Sequence, residues 1–83
     1  MAAASQPVIG TTPILIAQSK GTPIQVQLHT TASVYFGGSD VTTSTGFRLD
    51  NGDKAVITLA DSDSLYAVQG SGTSTLYVLT TIL

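Results

Sequence analysis

The sequence is 83 residues long, enough for one domain and no second core. Only 10% of its residues are charged, three basic against five acidic, giving a formal net charge of −2 and excluding the clustered Lys and Arg of a nucleic-acid footprint. Cysteine is absent, hence disulfides and thiolate metal sites, and 42% hydrophobic residues with so little charge exclude a disordered chain.

In chain order, residues 1–10 read as an extended N-terminal arm and residues 11–83 as a single β domain. Met1 to Ala4 are apolar, but Ser5, Gln6 and Pro7 follow at once. Neither a signal peptide nor a membrane span is expected, and synthesis in the cytoplasm is. Pro13 to Ala17 is a short apolar run closed by the turn Ser19-Lys20-Gly21-Thr22. Ile24 to Thr30 has the clearest strand pattern: Ile24, Val26 and Leu28 alternate with Gln25, Gln27 and His29. Ser33 to Phe36 is a further strand, stopped by Gly37-Gly38.

A polar loop, Ser39, Asp40, Val41, Thr42, Thr43, Ser44 and Thr45, precedes Gly46, and alternation resumes at Phe47, Arg48 and Leu49. Asp50-Asn51-Gly52-Asp53 is a turn of the kind that tolerates the positive φ angles of tight hairpins. Lys54 to Ala60, Ser64 to Gln69 and Ser74 to Leu83 supply the last strands, separated by Asp61-Ser62-Asp63 and Gly70-Ser71-Gly72. About seven short strands with turn chemistry between them predict an all-β fold, a small antiparallel β-sandwich or barrel. The thirteen threonines and nine serines suit half-wet pleated surfaces.

Two strands are apolar on both faces. In the last, Leu76, Val78 and Ile82 oppose Tyr77, Leu79 and Leu83; in the fifth, Ala55, Ile57 and Leu59 oppose Val56. A two-layer sandwich needs one apolar face per strand, so a loop, the arm or another subunit must cover the second. A central barrel strand with a covered outer face is the plainer reading. A short domain without cross-links is marginal alone, which favours the subunit. The expected interface is therefore Tyr77, Leu79 and Leu83, with Val56 as a lesser candidate, in a homo-oligomer.

Catalytic chemistry finds little material. His29, the single histidine, lies on the polar side of its strand, where a surface role is the usual one. Ser39 and Asp40 follow a double glycine, but nothing resembles a nucleophile elbow and no catalytic residue is expected. Asp50, Asp53, Asp61 and Asp63 lack EF-hand spacing and no glutamate is present, so they read as turn formers rather than a metal site. No phosphate-binding loop follows Gly37-Gly38, and no cofactor is expected. Tyr35, Phe36, Phe47, Tyr66 and Tyr77 suit packing, with a sugar platform as the less ordinary use.

The run from Val34 to Leu49, VYFGGSDVTTSTGFRL, resembles a segment of small virion proteins of tailed bacteriophages. In that pattern a strand ending in Gly-Gly-Ser-Asp-Val-Thr-Thr precedes a Gly-aromatic pair and a polar turn. Strands like Ser64 to Val68 and Ser74 to Leu79 then close it, so the likeness spans about Val34 to Leu79. The resemblance implies a non-enzymatic structural protein of the virion: a head decoration (cement) protein, a head fibre, or a small tail component. It further implies a homo-oligomer, trimers being typical of cement proteins, with the major capsid or another virion protein as partner. The loop Ser39 to Thr45 is then the expected contact surface. A tail or fibre adhesive module binding host glycans and a cellular all-β interaction domain are the alternatives.

Overall fold

A computed structural model describes residues 2–82, with side chains from Ala4 onward; Leu83 lies outside the described residues. Ten strands form: β1 (Ala2–Ser5), β2 (Val8–Ile9), β3 (Ile14–Gln18), β4 (Ile24–His29), β5 (Val34–Gly37), β6 (Phe47–Leu49), β7 (Lys54–Leu59), β8 (Ser64–Val68), β9 (Ser74–Thr75) and β10 (Tyr77–Ile82). They build two four-stranded antiparallel sheets, one in the order β1-β10-β4-β7 and the other β3-β8-β5-β6, joined by the small ribbon β2-β9. This order of two interleaved sheets is the jelly roll, an all-β sandwich.

The seven segments legible in the sequence all fall in strands. The additional ones come from the first ten residues and from a break at Leu76. Ala2–Ser5 pairs with β10 and Val8–Ile9 with β9, and Leu76 N–H donates to the Pro7 carbonyl at 2.9 Å where the ladder bends. Further on, Gln69 N–H donates to Gly10 O at 2.8 Å, and β3 pairs with β8. Residues 2–18 therefore run antiparallel to residues 64–81, and both partners change sheet at the same corner. The N-terminal segment extends the edge of a sheet; it does not lie over an apolar face.

The core lies between the sheets. Alternation in β4 buries Ile24, Val26 and Leu28, which meet Val34, Phe36, Leu65 and Ala67 of the opposite sheet and Val78 beside them. Ile9 and Leu76, both fully buried, fill the corner where the ribbon crosses. Ile82 shares the inward side of β10 but, as the last residue of that strand, is 51% exposed.

Most connections step from one sheet to the other, which changes the meaning of the turns. Asp50–Asp53 links β6 and β7 of different sheets. Only Gly52 has positive φ (82°), as in a type II turn, rather than the two left-handed residues of a type I′ hairpin. Asp53 N–H donates to Asp50 O at 3.0 Å, and the Asp53 carboxylate accepts from Asp50 N–H at 2.9 Å. Ala60–Asp63 repeats the construction, with Asp63 N–H to Ala60 O at 3.0 Å, Asp63 Oδ2 near Ala60 N, and Ser62 at φ 74°. The aspartates shape turns.

Thr30, fully buried at the end of β4, ties the first turn down. Its carbonyl accepts from Gly52 N–H at 2.9 Å, its N–H donates to Asp53 O at 3.0 Å, and its hydroxyl bonds the Asp50 carbonyl. Thr30→Val keeps the volume but removes the hydroxyl from a buried acceptor. We expect a stability loss of about 1–2 kcal/mol by urea unfolding, with secondary structure unchanged.

Candidate functional site

The outer face of the first sheet is set by register. His29 stands between Tyr77 and Lys54; in the next row Ala4, Leu79, Gln27 and Val56 lie side by side. The rings of His29 and Tyr77 meet edge to face at 6.0 Å and 82°. Tyr77 is 45% exposed and Val56 59%, and Leu79 is half-buried. These side chains line a shallow, largely apolar depression of about 560 Å³, rimmed by Gln6, Gln27 and Lys54. Three of the expected interface residues, Tyr77, Leu79 and Val56, thus share one surface; Leu83 lies outside the described residues.

The loop Ser39 to Thr45 is the hairpin connection between β5 and β6, on the other sheet. It is organised from within. Gly46 N–H donates to Thr42 O at 2.9 Å, Val41 N–H to Gly38 O at 3.1 Å, and the Thr42 and Thr45 hydroxyls lie 3.0 Å apart. Ser39, Asp40, Thr42, Thr43, Ser44 and Thr45 are exposed, whereas Val41 turns inward and is 4% exposed. Depressions of about 380 and 410 Å³ flank the loop, sharing Thr43, Gln69 and Gly70; Asp40 borders one and Tyr35 the other. Gln69 is buried and already satisfied, its amide donating to Ser71 O at 2.7 Å and its oxygen accepting from the Ser74 hydroxyl at 2.5 Å.

His29 sits on the first sheet, and Ser39 and Asp40 on a loop of the second, so the three form no relay. The carboxylate of Asp61 accepts from Gly21 N–H at 2.7 Å, joining two neighbouring turns. Among the described residues no three His, Cys, Asp or Glu side chains converge as metal ligands, and no helix is long and apolar enough to cross a membrane. Arg48 pairs with Asp50 at 2.6 Å, and this hydrogen bond raises its already high pKa; both side chains are more than half exposed, so the pair adds little stability.

Sequence reasoning passed over Gln27 and Ala4 as neighbours of Leu79, and His29 as the neighbour of Tyr77. The alternation of β4 marks Gln27 and His29 as outward-facing, but only strand order places them beside β10. Nothing in Ala2–Ser5 signals a strand beside β10.

No family profile matches the chain, and no curated protein does. A chain of the disulfide-linked pili that form Bacillus endospore appendages has a similar fold, at a TM-score of 0.58 and 13% identity over 100% of this chain and 86% of that one. The likeness is one of fold. Those pili are disulfide-linked; this sequence has no cysteine, so copies of it have no disulfide with which to join.

Proposed function

We propose that this chain is a non-enzymatic structural protein of a bacteriophage particle, a capsid decoration (cement) protein acting as an oligomer. The observation that carries the reading is the uncovered apolar surface around Leu79, Tyr77 and Val56, on a domain in which the carboxylates of Asp53, Asp61 and Asp63 bond the backbone of turns. The resemblance of Val34 to Leu79 to phage virion proteins supplies the setting, and the jelly roll, a fold found in capsid proteins, agrees by analogy. The similar pilus fold also comes from a protein assembly. Such a protein stabilises a shell by mass action, binding the assembled lattice better than its separate subunits.

The test is association with intact particles in a fixed copy number per shell; its absence from purified particles refutes the reading. Leu79→Asp places a charge in the middle of the apolar surface, where desolvating it opposes association. The variant is expected to fold, because Leu79 lies outside the interior, and to sediment as a smaller species than the wild type. Unchanged sedimentation removes this surface from the interface.

A second reading, an adhesive module on a tail or fibre, draws on the two depressions flanking the Ser39 to Thr45 loop, with Tyr35 as the aromatic wall of one. Selective signals on a glycan array favour it over the first.

A further inference from the structure

The edges of the two sheets are unequally protected. In the second sheet, β3 carries a register shift between Leu15 and Ala17, and β6 is three residues long with the Arg48–Asp50 ion pair beside it. Bulges, short edges and charges all discourage pairing with another chain. In the first sheet neither edge strand carries a register shift. β7 is a regular six-residue strand, rich in β-branched residues and charged only at Lys54; at the opposite edge, β1 reads Ala-Ala-Ala-Ser.

The hydrogen-bond parity of both edges follows from bonds already described. Thr30 N–H donates to Asp53 O, so in the alternating ladder Ala55, Ile57 and Leu59 face β4. The backbone N–H and C=O of Lys54, Val56 and Thr58 therefore point outward. Likewise Leu76 N–H donates to Pro7 O, so Ser5 and Ala3 face β10 while the backbone groups of Ala2 and Ala4 point outward. With four antiparallel strands in the sheet, β1 and β7 run in opposite directions. A second copy set beside the first in the same orientation thus presents its β1 antiparallel to β7.

We propose that copies of this chain join head to tail by backbone pairing of β7 in one with β1 in the next. Thr58, Val56 and Lys54 then lie opposite Ala2, Ala4 and Gln6 of the neighbour. This deepens the reading of an assembling structural protein and rests on it. The contact is heterologous: it closes into a ring if successive rotations sum to a full turn, and otherwise continues as a filament. Val56, now 59% exposed, comes against the small Ala4 of the next copy, and the row Ala4-Leu79-Gln27-Val56 continues across the junction. A second copy is the occupant because the opposite edge of the same sheet, uncharged and in the matching direction, belongs to the same chain.

Thr58→Pro deletes an outward N–H while sparing the ladder to β4, a placement proline tolerates on an edge strand. The full chain carrying it is expected to keep its β-type circular dichroism and to lose the higher-order species in sedimentation velocity, although Tyr77 and Leu79 are untouched. A folded variant that assembles like the wild type overturns the proposal. If proline prevents folding, cross-linking decides. The chain has no native thiol, so Ala4→Cys copies mixed with Val56→Cys copies should give a covalent heterodimer with a short bis-maleimide, and absence of that product overturns the proposal. Particle association is scored separately: wild-type protein bound to particles, with Thr58→Pro assembling normally, sinks the edge contact and leaves the structural role standing.

Discussion

Leu76→Ala is expected to cost about 2–5 kcal/mol of stability, toward the upper end of that range. Leu76 belongs to no strand, yet it is fully buried with Ile9 at the corner where the paired segments leave one sheet for the other. The size of the loss depends on how far the surroundings collapse into the void. Here collapse is resisted, because the walls are fixed by main-chain bonds: Leu76 N–H to Pro7 O at 2.9 Å, the β2-β9 pairs before it and the β1-β10 pairs after it. Urea unfolding should show a lower midpoint with an unchanged slope. A loss below about 1 kcal/mol would mean that the corner is not part of the core.

Gly46→Ala should destabilise by about 1–3 kcal/mol for the opposite reason, too much matter in a filled space. A Cβ on Gly46 would stand 2.7 Å from Tyr35 Cβ, 2.9 Å from Val41 Cγ2 and 3.0 Å from the Thr42 carbonyl oxygen. The first belongs to the rigid start of a side chain on β5. The last accepts the bond that closes the loop, so neither yields without moving backbone. Gly38→Ala is the matched control, since its Cβ would meet nothing closer than Asp40 Oδ1 at 3.6 Å. Thermal melts that fall for Gly46→Ala and hold for Gly38→Ala would identify the Val41-anchored loop as a packed unit. Equal melts would make it a loose excursion.

The two substitutions mark the boundary of what local pattern conveys. Period-two alternation in Ile24 to His29 and the Asp-Gly-Asn punctuation suffice to read an all-β sandwich or barrel, because burial on one face of a pleated strand is a local property. Pairing is not. Ala2–Ser5 carries no alternation, and its place beside β10 follows from the ribbon geometry. The Asn51-Gly52 turn looked like a hairpin, yet it bridges sheets, a distinction that lies in the destination of the next strand. At the candidate site, the two-sided hydrophobicity of β7 and β10 pointed to Val56, Tyr77 and Leu79, which do share a surface. Val41 looked like one more loop residue, although an apolar side chain between two glycines with close-packed surroundings is what anchors that loop.

The position of β10 between β1 and β4 has a consequence for the order of folding. Every strand of the second sheet lies within residues 14–68, so that half can pair before the two ends of the chain come together. The first sheet cannot: its β1 has no neighbour until residues 77–82 arrive, nearly a full chain length later. Contacts this distant along the chain place folding in the slow, millisecond-to-second regime of β-sandwiches. Until that late insertion, the inward side of β4 has only half its lateral cover, and the folding chain is most exposed to wrong partners just before it becomes most selective about right ones.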